Sequence, residues 1–272
     1  MNILFWNINK KNLLVEIDLL ARNKNIDIIV LAECEISYYD LLQYLNRDES
    51  IYFASHGIGC ERIKVLTKFK HTFSLPISEH NRWSIREIQT PLHQSFLLGL
   101  VHFPSKVNWT SQSQAIECGE LVRQIESLEN NRKHKRTVLL GDFNMNPFED
   151  GMISSGYFHA TMDLEIAKSQ KRVVQGREYD YFYNPMWGFY GDLGKGEVSG
   201  THYYNSSVHL NYKWNIYDQV LVRPELLDEF VLDELEIITE SKESVYLTSK
   251  KQLNRNFSDH LPIKLTLNLN LK

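Results

Sequence analysis

Short apolar runs alternate with helical spacings along most of the chain. Residues 2–8 carry Ile3, Leu4, Phe5 and Ile8, a pattern that predicts a strand closing in Asn7-Ile8-Asn9. Leu13, Leu14, Ile17, Leu20 and Ala21 then recur at three and four residues. That spacing predicts a helix with Asn12 as its N-cap. Residues 26–31 predict a buried strand that ends in Ala32-Glu33-Cys34. A strand, a helix and a strand in quick succession predict an α/β layer.

The alternation continues. Residues 37–45 predict a short helix opened by Ser37, with Asp40 as an imperfect capping partner. Residues 51–54, 63–66 and 85–88 predict short or half-buried strands, with the glycines of 56–60 turning the chain and Leu75-Pro76 breaking it. Residues 95–101 predict a clearer strand that ends in His102-Phe103-Pro104-Ser105. Ala115, Cys118, Val122, Ile125 and Leu128 form the buried stripe of a helix over 111–128, and 130–136 is a polar, basic turn. Val138, Leu139 and Leu140 read as a buried strand that empties into Gly141-Asp142-Phe143-Asn144. Side chains repeat every two residues in a strand, so Asp142 and Asn144 share a side. Asn146-Pro147 predicts the start of a short helix.

The pattern loosens over 168–213, which is rich in tyrosine, asparagine and glycine and predicts short strands and long loops within one catalytic domain spanning 1–272. Strand character returns at 215–222, with Asp218 inside it, and at 235–238 and 245–247. Asn256-Phe257-Ser258-Asp259-His260 is a polar loop before a half-buried last strand at 261–267.

Composition narrows the field. The chain has 272 residues, 43% of them hydrophobic, enough for a sizeable core. A net charge of -4 and a pI near 6.2 do not suggest a broadly basic nucleic-acid-binding surface. The three cysteines lack paired metal spacing and read as reduced structural thiols of a cytoplasmic protein. No signal-peptide pattern opens the sequence, and no apolar stretch is long enough for a bilayer.

Polar groups thus gather at strand ends or inside strands: Asn7 with Asn9, Glu33, His102, Asp142 with Asn144, Asp218, and Asp259 with His260. If the strands share a core, one rim collects them. The carboxylates among them would repel one another without a cation, and oxygen ligands favour Mg²⁺ or Mn²⁺ over zinc.

In order and in strand context, Trp6-Asn7-Ile8-Asn9, Glu33, Val101-His102, Gly141-Asp142-Phe143-Asn144, Asp218 and Ser258-Asp259-His260 resemble the motifs of the endonuclease/exonuclease/phosphatase superfamily. That group contains DNase I, apurinic endonucleases, inositol polyphosphate 5-phosphatases and neutral sphingomyelinases. The resemblance implies a four-layered α/β/β/α sandwich of two packed mixed sheets, the DNase I-like fold, with the site at one end. It implies Glu33 as principal metal ligand, assisted by Asn7 or Asn9 and by Asp259. Asp142 would orient or deprotonate water, with Asn144 beside it on a phosphate oxygen. His260, held by Asp218, would meet the scissile phosphate, with His102 a second donor there. Thr201, His202 and Tyr203 fall where a substrate-side loop is expected. Two positions depart from the family pattern: Ala32 stands where glutamine is frequent, and Asn9 where a carboxylate is common, so the metal would be held with fewer charges.

The resulting expectation is metal-dependent phosphodiester hydrolysis, with a nucleic acid as the leading substrate and neither DNA nor RNA favoured. A small phosphorylated molecule is the enzymatic alternative, and a binding module on an inactive fold the non-enzymatic one. The basic run Arg132-Lys133-His134-Lys135-Arg136 lies before the central strand, at the end expected to be remote from the site, and reads as a solvated turn.

Overall fold

The computed structural model of the chain describes residues 1–89, 94–107 and 109–269. Along the chain, β1 (Asn2–Asn7), α1 (Leu14–Asn23), β2 (Ile28–Ala32), α2 (Tyr38–Leu45), β3 (Phe53–Ala54) and β4 (Ile63–Thr67) come first. They are followed by β5 (Ser74–His80), β6 (Trp83–Ile88), β7 (Phe96–His102), α3 (Ser111–Arg132), β8 (Thr137–Asp142), α4 (Asp150–Ile153) and β9 (Ala160–Thr161). After α5 (Leu164–Lys168) come a hairpin of β10 (Lys171–Val174) and β11 (Arg177–Asp180), then β12 (Phe182–Tyr183), β13 (His202–Tyr203) and β14 (Trp214–Asn215). β15 (Asp218–Val222), β16 (Glu236–Ile237) and β17 (Ile263–Thr266) complete the strands.

Two mixed sheets result. One has six strands in the order β16-β17-β1-β2-β4-β3, the other seven in the order β5-β6-β7-β8-β15-β12-β9. β1 with β2, β7 with β8, and β9 with β12 run parallel; the other pairs within these two sheets are antiparallel. The sheets pack face to face because their strands are apolar on both sides. Val138 and Leu140 of β8, Leu98 and Leu100 of β7, and Val220 and Val222 of β15 join the core shared with the first sheet. The alternate residues Leu139, Leu97 and Leu221 join Cys118, Leu121 and Ile125 of α3 in a second core. On the outer side of the first sheet, Ile17, Leu20 and Leu41 of α1 and α2 close the large core. The layers are therefore helices, sheet, sheet, helices, as the family resemblance implies.

Several local expectations are corrected. Leu13, not Asn12, caps α1, and it makes no side-chain cap bond. Ser37 does cap α2, accepting the Asp40 amide at 3.0 Å. The Leu75-Pro76 break lies inside β5, an edge strand, which tolerates a residue without an N–H and shifts register between Pro76 and Ser78. The α3 helix runs past Leu128 to Arg132 because its buried face continues as an ion pair: Glu129 accepts from Arg223 Nε at 3.0 Å. Asn146-Pro147 forms a turn, and α4 starts later, at Asp150. The last strand is buried on both faces: Ile263 and Leu265 join the large core, and on the other face Lys264 pairs with Glu234 at 3.2 Å. Residues 245–247 contribute only isolated bridges. Three residues of the basic run are paired, Arg132 with Glu87, Lys135 with Asp180 and the buried Arg136 with Glu229.

Candidate active site

The register of the second sheet aligns three of the predicted residues in one row. His102 on β7 stands opposite Asp142 on β8, which stands opposite Asp218 on β15. By alternation they share the face of Leu100, Leu140 and Val220, so all three project into the space between the sheets, where the core opens. Gly141 makes the row possible. A Cβ there would lie 2.0 Å from the Val101 carbonyl oxygen, and its φ of 155° is one that other residues rarely adopt.

The first sheet supplies the facing wall. Asn7, at the end of β1, donates from Nδ2 to Asp142 Oδ2 at 3.1 Å and to Glu33 Oε1 at 3.3 Å, linking the two sheets. Its Oδ1 accepts the amide of Asn9, which turns the chain with a φ of 46°. Glu33 leaves β2 in the left-handed region with a φ of 48°, and its carbonyl accepts the Lys10 amide at 2.8 Å. Its carboxylate meets His102 Nε2 at 3.3 Å. The neighbouring Glu35 instead faces Lys10 at the surface, 3.6 Å away.

The last loop is tied to β1. Ser258 Oγ donates to the Asn7 carbonyl at 2.6 Å and accepts the His260 amide at 3.1 Å, while Trp6 Nε1 donates to the His260 carbonyl at 2.9 Å. His260 is thereby set with Nδ1 at 2.8 Å from Asp218 Oδ2 and Nε2 at 3.9 Å from Asp142 Oδ2. Asp259 is next to it on the cleft wall. Asn144 Nδ2 donates to Asp142 Oδ2 at 3.1 Å and to the Phe103 carbonyl at 2.8 Å. Its side-chain amide is thus shared between Asp142 and the backbone after β7, and Asp142 Oδ1 also accepts the Asn144 backbone N–H at 2.8 Å.

The three residues expected on the substrate side separate. Thr201 is fully buried, and its hydroxyl accepts the backbone N–H groups of Tyr217 at 3.2 Å and Asp218 at 3.1 Å. It sets the start of β15 and does not line the cleft. His202 does line it, stacked on Tyr217 and tilted against His260 with ring centres 4.7 Å apart. Tyr203 faces a neighbouring hollow.

The electrostatics follow from this packing. The hydrogen bond from His102 holds the Glu33 carboxyl down to about 2, against the opposing effect of burial. Burial pushes the Asp142 carboxyl up, opposed by His260. Burial also disfavours a charged His260, but Asp218 and Asp142 outweigh it and raise the imidazole to about 10. Burial and the nearby His260 lower His202 to about 4.

Donor atoms of Asp142, Asp218 and His260 all lie within 4.8 Å of one another, a buried set able to chelate a metal ion, as do those of His202, Asp259 and His260. Glu33 belongs to neither set. The groups nearest the cleft are nonetheless rich in carboxylate oxygen, a donor set that suits a hard divalent ion. The cysteines stand apart from such chemistry: Cys60 and Cys118 are buried, and burial raises the thiols of all three.

These residues open into a cleft of about 750 Å³. Its far wall carries Arg62, Arg82 and Trp109, with the Arg82 guanidinium 5.9 Å from the centre of the Trp109 ring. Among the described residues neither arginine forms an ion pair. Sequence reasoning missed both arginines, the positioning roles of Thr201, Ser258 and Trp6, and Tyr204 and Tyr217 on the cleft wall. Trp6 and Ser258 carried a signal as members of the Trp6-Asn7-Ile8-Asn9 and Ser258-Asp259-His260 motifs, and Thr201 as a residue expected on the substrate side.

The architecture is that of the DNase I-like endonuclease/exonuclease/phosphatase proteins. An endonuclease/exonuclease/phosphatase family protein from Bacteroides thetaiotaomicron aligns with a TM-score of 0.56 at 12% identity, covering 100% of this chain and 98% of its own. D. rerio TDP2 complexed with single-strand DNA product aligns at 0.52 with 17% identity, covering 98% of each chain. The 3′ phosphatase NExo from Neisseria, bound to product DNA hairpin, aligns at 0.52 with 16% identity, covering 98% of this chain and 99% of its own. At the level of sequence the chain matches no protein-family model and no curated protein. The likeness establishes the fold; substrate and chemistry rest on the site.

Proposed function

We propose that the chain is a divalent-metal-dependent phosphodiesterase acting on nucleic acid. One observation carries the reading: Asn7, Glu33, His102, Asp142, Asn144, Asp218 and His260, from both sheets and the last loop, converge at one opening of the inter-sheet core. Glu33, with Asn7 or Asn9 and Asp259, would hold Mg²⁺ or Mn²⁺. The ion, when bound, polarises the phosphate and stabilises the leaving oxygen.

The remaining residues divide the other tasks. Asp142 takes the proton of the attacking water, its carboxylate aimed by Asn7 and Asn144. His260, held by Asp218, presents a protonated Nε2 to the phosphate oxygens as charge develops. His102 donates from the opposite wall. In this division the Asp142–Asp218–His260 set carries a proton, and the oxygens of Glu33 and Asp259 would hold the metal. Two proteins of the same fold, TDP2 and NExo, are described with DNA products, which supports nucleic acid as the substrate class. The three free thiols support a cytoplasmic setting as part of this proposal.

The deciding experiment is hydrolysis with Mg²⁺ or Mn²⁺ over plasmid, single-stranded DNA, RNA, nucleotides and phosphorylated small molecules. Metal-dependent polymer cleavage, reduced about 10²–10⁴-fold in Asp142→Asn and His260→Ala, is the expected result. Manganese titration of Glu33→Gln and His260→Ala places the ion: the first variant should lose binding and the second keep it. The net charge of -4 favours one second reading, a small phosphorylated substrate. Release confined to small substrates would establish it. No turnover and no bound metal would leave a binding module.

A further inference from the structure

The cleft does not end at Asp259. A second hollow of about 580 Å³ lies beyond it, lined by Lys11, Tyr203, Arg255 and Phe257. His202, Tyr204 and Asp259 line both hollows, so the two adjoin across the residues beside His260.

The lining is cationic and aromatic. Lys11 donates to the Arg255 carbonyl, which ties the turn after β1 to the loop before β17. The Arg255 side chain is exposed and forms no ion pair among the described residues. Tyr203 and Phe257 are braced from behind by edge contacts with Trp214 at 5.2 Å and Tyr246 at 5.0 Å. Tyr204, 57% exposed, stands on the shared wall.

A lone nucleotide could be housed in the first cleft and has no use for this extension. A strand crossing the catalytic residues needs, one residue on, a surface for a base and a positive group for the next phosphate. We propose that the second hollow is the subsite for the nucleotide flanking the scissile phosphate of a single-stranded nucleic acid. The base rests on Tyr203 or Tyr204, and its outer phosphate meets Arg255 and Lys11. This rests on the phosphodiesterase reading above and adds to it the form of the substrate.

The test uses the full chain and two readouts. The first is anisotropy of fluorescent DNA and RNA 10-mers in EDTA, over a range of salt. The second is Mn²⁺-dependent hydrolysis of bis(p-nitrophenyl) phosphate, which is too small to reach the hollow. Arg255→Gln should weaken binding of the 10-mer and lower the slope of log K against log salt by about 0.7, the share of one phosphate contact on a single strand. Tyr204→Ala should weaken binding about fivefold or more through lost stacking. Arg255→Gln should leave hydrolysis of the small diester unchanged.

If both variants bind the 10-mers like the parent while the small diester is cleaved, the subsite is refuted and the phosphodiesterase reading stands. If Arg255→Gln impairs both readouts equally, the residue acts on the fold and the subsite is again refuted. If the parent cleaves neither the small diester nor the 10-mers, the phosphodiesterase reading fails and the subsite with it.

Discussion

Gly141→Ala tests the link between strand packing and chemistry. The added Cβ would lie 2.0 Å from the Val101 carbonyl oxygen and 2.7 Å from the Val101 nitrogen, both backbone atoms of the adjacent strand. No rotamer relieves such a clash, so β7 and β8 must part. Overpacking of this kind costs about 1–3 kcal/mol. Holding a non-glycine residue at a φ of 155° adds about 1–3 kcal/mol. The sum, about 2–6 kcal/mol, corresponds to a fall of about 4–12 °C in Tm at roughly 2 °C per kcal/mol for a chain of this size.

The displacement falls on the His102–Asp142 pair, and a shift of about 1 Å at reacting groups costs on the order of 100-fold in rate. Gly176→Ala is the control. It has a φ of 78° with nothing within 4 Å of its Cβ, so it isolates backbone strain of about 1–2 kcal/mol. Thermal unfolding and steady-state hydrolysis of both variants are the assays. A Gly141→Ala protein that melts with Gly176→Ala and keeps parental kcat would refute the argument.

Other outcomes follow from the same geometry. Thr201→Val removes the acceptor for the Asp218 amide and should lower kcat, with Thr201→Ser restoring it; equal activity in all three proteins would remove Thr201 from the positioning of Asp218. The imidazole of His260 is raised from 6.5 to about 10, so its stabilisation is complete below pH 6.5 and is lost as pH rises toward 10. The Tm of metal-free protein should therefore fall between pH 7 and 10, and Asp218→Asn should flatten that fall. Glu129→Gln breaks a buried pair with Arg223 at the end of β8 away from the cleft and should cost about 3–5 kcal/mol without changing KM, as read by denaturant titration and kinetics.

What was legible in the sequence was the chemistry at the ends of apolar runs. Asn7, Glu33, His102 and Asp142 each close a strand-like segment, and a polar group there has to face solvent or a site. Neighbour relations were not legible. Nothing local says that His102, Asp142 and Asp218 share a row, because register depends on residues far apart in the chain. The part played by Thr201 was hidden for the same reason: a hydroxyl serving two amides sixteen and seventeen residues on leaves no periodic trace. Composition also misled at Leu128, where the apolar stripe stops but burial continues through Glu129. Pro76 looks like a break in the sequence because its tolerance depends on being at a sheet edge, a property of the assembled sheet.

The row across β7, β8 and β15 acts as a ruler. Adjacent strands lie about 4.8 Å apart whatever the surrounding loops do. The distances among His102, Asp142 and Asp218 are therefore set by backbone hydrogen bonding. The surfaces that would grip different substrates lie instead on irregular segments around Arg62, Trp109, Tyr204 and Arg255. Loops vary more readily than the sheet that carries them, so under the proposed function the substrate could change while the spacing of the reacting groups stays fixed.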